Sequence, residues 1–440
     1  MSVVRQSILG LFTMTQQVLN RRRFIKSATV AGAGFWLGIE RGFAGSKSAN
    51  DKLNIGIIGV GNRAAENIHG VSDENIIALC DVDENFLSEA AEQFPKARKY
   101  TDFRKLIEHP GLDAVVISTA DHTHAVATLA ALQSGKHVYC EKPLTHTVQE
   151  ARAVAEAAAR YKRATQMGTQ IHASDNYRRI VETVQSGALG DIAEAHVFCN
   201  KSWGGGERPK ETPTVPKHIH FDLWLGPAPV RPYHSDYLPV NWRRWWDFGG
   251  GTLGDMGCHY LDLVHWALGL RHPRTIEAEG PPAHPETAPT SLIVRYQYPY
   301  RNAEIPVTWY DGGKKPRLMK DGTVPNWKAG VLFVGSKGML LGDYRTFRLL
   351  PESNFAGFKA PRTIPASVGH YEEWIQACKH GTPTTCNFDY AGALTEAVLL
   401  GNVAYRAGQK IEWNAPDCKV TNLPSAMNFV GREYRKGWAA

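Results

Sequence analysis

From Lys52 onward the chain alternates short runs of apolar, often β-branched residues with longer stretches whose apolar positions recur every three or four residues. The short runs predict strands at 53–58, 75–80, 112–118, 137–140 and 164–167. The longer stretches predict amphipathic helices at 64–70, 84–94, 122–134 and 148–162. Thr147 and Glu150 form a capping box at the start of the last helix, and Gly135 ends the one before it. Strand and helix in strict alternation predict an α/β fold with a doubly wound parallel sheet.

After Thr169 the period changes. Residues 203–246 are rich in Pro, Trp and His and show little periodicity. Alternating runs follow at 291–298, 304–310, 331–334, 339–343 and 347–350, with a turn at Gly335 to Gly338, and a helical pattern covers 390–407. Neighbouring alternating runs predict an antiparallel sheet. No internal repeat or low-complexity segment occurs. The expected division is a Rossmann domain over 45–168 and a C-terminal α/β domain over 169–440.

The first strand ends in Gly59-Val-Gly61-Asn62-Arg63-Ala64, a G-x-G-x-x-A fingerprint. The glycines let the backbone turn sharply and approach a pyrophosphate, and the small Ala64 lets helix and strand pack closely. About 20 residues on, Asp81 ends the second strand, where a carboxylate accepts ribose hydroxyls and repels a 2′-phosphate. NAD is expected, with Arg63 leaving NADP open.

A later strand runs into Cys140-Glu141-Lys142-Pro143. In the glycine-rich stretch from Gly249, Asp255, His259 and Asp262 fall at i, i+4 and i+7, one face of a helix. Oxidising a secondary alcohol removes a hydroxyl proton while hydride leaves, and His is suited to the proton. His259 is expected as general base, Asp255 as the group orienting its imidazole, and Lys142 as the donor holding the substrate oxygen. Glu141 is expected to anchor the lysine or touch the nicotinamide side, and Pro143 to follow a cis bond. A solvated polar stripe or a divalent-metal site are the alternatives for the Asp-His-Asp face; no metal is expected. Five of the 12 tryptophans, Trp203, Trp224, Trp242, Trp245 and Trp246, precede this helix. Sugar C–H faces stack on such rings, so Trp245, Trp246, His172 and Asp262 are candidate substrate contacts, with core packing as the alternative.

The formal net charge is +7 over 440 residues. Residues 1–44 hold Arg5, Arg21, Arg22, Arg23, Lys26 and Arg41 against Glu40 alone, so most of that charge belongs to this segment. The remainder is too nearly neutral for a nucleic-acid partner. Arg21, Arg22, Phe24 and Lys26 resemble a twin-arginine export signal, followed by a short apolar stretch and small residues at a cleavage point. Residues 1–44 are therefore expected to be a signal peptide, with Met1 or Met14 as the start, and the mature protein periplasmic without a membrane anchor. The 7 cysteines are odd in number and scattered, without a CxxC pair. They suit a protein folded in a reducing compartment before export.

The fingerprint at Gly59, Asp121-His-Thr-His124, Glu141-Lys142-Pro143 and the Asp255 to His259 stretch together resemble the Gfo/Idh/MocA oxidoreductases, the group of glucose-fructose oxidoreductase and inositol dehydrogenase. The resemblance implies a Rossmann domain joined to a C-terminal α/β domain with a large, mostly antiparallel open sheet for substrate and oligomer contacts, hydride transfer at a sugar or cyclitol carbon, and a homo-oligomer, dimer or tetramer. His124 matches the family's histidine near the cofactor, although Ala120 replaces the usual proline. Export of a loaded enzyme implies a tightly bound nicotinamide regenerated in place. Redox-neutral glycoside cleavage through a keto-sugar, and a non-catalytic sugar or dinucleotide sensor, are the alternatives.

Overall fold

The computed structural model describes residues 52–438; the expected export segment lies outside them. The first half is a six-stranded parallel sheet in the order β3-β2-β1-β4-β5-β6. Its strands are β1 (Asn54–Ile58), β2 (Asn75–Cys80), β3 (Arg98–Tyr100), β4 (Ala114–Ile117), β5 (His137–Glu141) and β6 (Thr165–Gly168). Helices α1 (Ala64–Gly70), α2 (Glu84–Gln93), α3 (Phe103–Ile107), α4 (Asp121–Gln133) and α5 (Val148–Tyr161) connect them. The order reverses between β1 and β4, which opens a crevice at the carboxyl ends of the strands.

Both faces of this sheet are covered, so alternate residues of one strand enter different cores. Ile55, Ile57, Val116 and Tyr139 pack in one cluster, Ile58, Val115, Ile117 and Val138 in the other. The capping box forms as expected, with Thr147 Oγ1 accepting from the Glu150 amide and Glu150 accepting from the Thr147 amide. Gly135 takes φ +73° at the end of α4.

The second half contains α6 (Asp175–Gln185), α7 (Phe221–Leu225), α8 (Gly251–Leu268), α9 (Arg317–Lys320), α10 (His370–His380) and α11 (Phe388–Ala407). Its sheet has nine strands in the order β13-β12-β11-β7-β10-β9-β8-β14-β15. They are β7 (Ile192–Cys199), β8 (Thr275–Glu279), β9 (Ile293–Tyr300), β10 (Ala303–Tyr310), β11 (Ala329–Gly335), β12 (Gly338–Gly342), β13 (Phe347–Leu350), β14 (Ile411–Asn414) and β15 (Lys419–Val420). β7 runs parallel to β10, and the other paired strands are antiparallel. The sheet is thus mixed but mostly antiparallel.

Two long-range returns complete the molecule. α11 crosses α8 closely: a Cβ on Gly257 would lie 2.8 Å from Val398 Cγ1. α10 packs back onto the first sheet, placing Trp374 and Ile375 in the cluster of Ile55 and Leu79. Lys379 pairs with Glu74 at 2.6 Å there.

Candidate active site

The crevice is a cleft of about 410 Å³ lined by the ends of β1, β2 and β4 on one side and by segment 218–243 with Trp438 on the other. At its floor Gly59 has φ +82°, and a Cβ there would lie 2.9 Å from the Ser118 carbonyl. Only glycine fits that position. Asn62 also takes a left-handed φ of +53°, and Ala64 is fully buried between helix and sheet. α1 has no side-chain N-cap; its first two amides, of Ala64 and Ala65, donate back to the Gly61 and Asn62 carbonyls, each at 3.1 Å.

Asp81 stands at the end of β2, accepting from the Val60 amide at 2.8 Å and the Asp83 amide at 2.9 Å. Burial raises its pKa. A carboxylate offers about four acceptor positions, more than these backbone amides take up, so acceptor capacity remains for a ribose hydroxyl. Arg63 does not reach toward it. Its Nε donates to Glu141 Oε1 at 3.1 Å and it pairs with Glu66. Glu141 ends β5, three strands from β2 and hence about 14 Å away. The guanidinium that left NADP open is therefore engaged elsewhere, and the residues fit NAD.

Glu141 also accepts from Asn67 Nδ2 and Gln170 Nε2, each at 3.0 Å. A Cβ on Gly168 would come within 2.8 Å of its carboxylate. Glu141 is thus an anchor between α1, β5 and the turn at 170; it makes no bond to the Lys142 ammonium.

Lys142 follows, with a cis peptide to Pro143. Its Nζ donates to Asp255 Oδ1 and to the Asp255 carbonyl, both at 2.8 Å. Arg243 Nε donates to the same Oδ1 at 3.1 Å. Burial pushes the Asp255 pKa up, but Lys142 and Arg243 outweigh it and hold the carboxyl well below its usual range. Burial lowers the Lys142 pKa, and Asp255 more than restores it. Lys142 is held as an ammonium.

His259 lies one turn beyond Asp255 on α8, partly exposed, with a buried Nδ1 that has no hydrogen-bond partner. Burial, then Lys142, pushes its pKa down to about 3, so the ring is neutral near pH 7. The expectation that Asp255 orients this imidazole is corrected: no hydrogen bond joins the two, and Asp255 Oδ1 takes both Lys142 and Arg243. Asp121, at the first position of α4, is buried beside this cluster, and burial pushes its pKa up to about 8 against the pull of Arg243 and Lys142.

The other candidates sit elsewhere. His124 is 1 % exposed, its ring between the Pro143 carbonyl at 2.8 Å and the Thr119 carbonyl at 3.1 Å. It ties the loops after β4 and β5 together and does not line the cleft. Asp262 is fully buried, 2.9 Å from His172 Nδ1 and 2.6 Å from the Tyr390 hydroxyl. The His172 ring stacks on Trp266 at 4.1 Å. Two helical turns, about 11 Å, separate Asp262 from Asp255, which carries it past the site into the core. Trp245 is fully buried against Tyr237, and Trp246 Nε1 donates to the His284 carbonyl. Neither lines the cleft; Trp224 and Trp242 do. Sequence reasoning missed Asn67, Gln170 and Arg243, which carry no periodic or motif signal of their own. Among the described residues no group of three His, Cys, Asp or Glu is arranged to hold a metal ion, and no helix is long and apolar enough to cross a membrane.

Residues 53–169 match the Gfo/Idh/MocA oxidoreductase family's NAD-binding Rossmann fold, and residues 175–440 its C-terminal alpha/beta domain. A myo-inositol 2-dehydrogenase of Thermotoga maritima is 30 % identical over 49 % of this chain and 55 % of its own length. A levoglucosan dehydrogenase of Pseudarthrobacter phenanthrenivorans is 25 % identical over 43 % and 42 %. The chain thus spans about half the length of these relatives. The WlbA dehydrogenase of Bordetella pertussis, solved with NADH and UDP-GlcNAcA, superposes with a TM-score of 0.62 at 16 % identity, covering 84 % of this chain and 99 % of that one, a likeness of fold. The chain belongs to the Gfo/Idh/MocA oxidoreductase family, with its NAD-binding Rossmann fold followed by its C-terminal α/β domain.

Proposed function

We propose that this chain is an NAD-dependent oxidoreductase acting on a hydroxyl-bearing carbon of a sugar, glycoside or cyclitol, with its nicotinamide tightly held. The observation that carries the reading is Lys142, fixed by two 2.8 Å bonds to Asp255, with a neutral His259 one turn along α8. The chemistry NAD supplies when bound is acceptance of a hydride. Lys142 holds the substrate hydroxyl oxygen, and its charge lowers the pKa of that hydroxyl. His259, unprotonated and with Nδ1 unpartnered, receives the hydroxyl proton. Arg243 and Asp255 keep the ammonium in place, and Asp81 accepts from the ribose. The names of the inositol and levoglucosan dehydrogenases support a cyclitol or sugar substrate.

The arginine pair at Arg21 and Arg22 supports export to the periplasm by the twin-arginine route, and the family resemblance supports a homo-oligomer. Replacing His259 with Ala tests the chemistry: turnover should vanish while NADH binding persists, and unchanged turnover rejects the assignment. Following bound-NADH absorbance over a panel of sugars, cyclitols and glycosides, with chromatography of the products, separates net oxidation from redox-neutral cleavage.

A further inference from the structure

The cleft has two ends, and the proposed chemistry uses one. Lys142 follows β5, whereas Asp81 ends β2, so the ribose it serves and the base beyond it point toward β3. There the wall is made by Thr101, Asp102 and Phe103 from the first half and by Trp438 from the far end of the chain.

Trp438 is 7 % exposed and firmly placed. Its ring lies 6.0 Å from the Phe103 ring, and Arg104 Cζ sits 4.3 Å over it. The tail leading to it is tied down along its length. The Val430 carbonyl accepts from the Gln149 amide at 3.0 Å, and Arg432 and Tyr434 both donate to Glu150 Oε1, at 2.9 and 2.8 Å. Arg435 donates to the Gly226 carbonyl at 3.0 Å and pairs with Asp222 of α7.

α7 is in turn continuous with a strap that grips the loop after Asp81. The Glu84 amide donates to the His218 carbonyl at 2.9 Å, and the His220 amide to the Val82 carbonyl at 2.8 Å. His220 Nε2 meets Glu84 Oε1 at 2.8 Å. Tail, α7 and strap thus form one bracket over the β2–β3 end of the cleft, built from residues more than a hundred positions away from the loops it holds.

We propose that Trp438 walls an adenine subsite and that this bracket retains the dinucleotide by its adenosine half. The inference rests on the NAD reading of the cleft. An indole with apolar neighbours offers a purine ring a stacking or edge surface, and the guanidinium above Trp438 polarises that surface. Release of the nucleotide then requires Trp438 or the strap to move.

The test is a chase. Purified full-length protein carrying NADH is mixed with excess NAD, and loss of bound-NADH fluorescence is followed in the unaltered protein and in Trp438→Ala. NADH should leave about tenfold faster from the variant, the loss typical of one stacked base. ADP-ribose should bind about tenfold more weakly, while reduced nicotinamide mononucleotide, which lacks adenine, should bind as before. Trp438→Leu keeps the tail's apolar bulk and should show the same adenine-dependent loss if the alanine variant unfolds. Arg435→Gln, which frees the tail from α7, should also speed release. Unchanged ADP-ribose binding in the Trp438 variants, or an equal loss for the mononucleotide, overturns the proposal. If the unaltered protein binds neither NADH nor ADP-ribose, the NAD reading itself falls and this inference with it.

Discussion

α8 carries two aspartates seven residues apart on one helical line, and they live in opposite circumstances. Asp255 is held by two cations, Lys142 and Arg243, the second of which lines the cleft. Asp262 is sealed among His172, Tyr390 and Trp266, with every neighbour in hydrogen-bond or stacking contact. Residue type and helical phase are the same, so neither separates the two. What sits across from each carboxylate does. An aspartate bonded to an ammonium and a guanidinium keeps the ammonium charged and fixed in place. One facing a histidine and a phenol in the core fixes the packing of α8 against the turn at 170 and α11.

The sharpest way to break this contrast is to remove each partner set in turn. Lys142→Met should lower kcat by about a thousandfold, as expected for loss of a charge aimed at a reacting oxygen, with a smaller change in melting midpoint than Asp262→Ala gives. Steady-state kinetics beside a thermal melt reads both. Asp262→Ala should do the reverse: it leaves a buried imidazole and phenol without their acceptor and should drop the midpoint by about 5 °C or more. Turnover per folded molecule should stay within about twofold; a large loss of kcat at intact stability would return Asp262 to the substrate. Arg243→Gln should cost about tenfold in kcat/KM by loosening Lys142 through Asp255, and Arg243→Lys should recover part of it.

The smallest effect is a pH dependence. Asp121 has its folded pKa raised to about 8, against an unfolded value of about 3.9. Its contribution to stability is therefore present below about pH 4 and is lost as pH rises toward 8. Asp121→Asn removes that loss, so its midpoint relative to the unaltered protein should rise by about 2 °C or more between pH 5 and pH 9. A difference that stays flat with pH would mean that the carboxyl is already ionised in the fold. His259 shifts the other way, its folded pKa near 3, and its contribution is lost as pH falls below about 6.5.

The parts legible in the sequence were those with local signals. The fingerprint from Gly59 to Ala64, the acid at Asp81 and the strands at 75–80 and 347–350 follow from turn chemistry and periodicity, and they stand where expected. β3 was not legible because its three residues, Arg98 to Tyr100, are polar or half-exposed and carry no alternation. Nor was the partner of Asp255, since Arg243 lies in a short turn, Asn241–Arg244, where no period predicts direction. The same turn explains the tryptophans. Trp242 and Trp245 are three residues apart, yet one lines the cleft and the other is buried behind it. In irregular backbone, composition tells that aromatic rings are gathered but not which way each one faces.

The return of α10 to the first sheet bears on synthesis. Until residues 370–380 have emerged, the face formed by Ile55, Leu79 and Val116 lacks Trp374 and Ile375, although β6 was finished at Gly168. At the usual pace of translation, that interval is about 10–40 s. During it that face is covered by α1 and α2 alone, through Ala64, Ile68, Leu87 and Ala90. The first sheet is therefore made early but closed late.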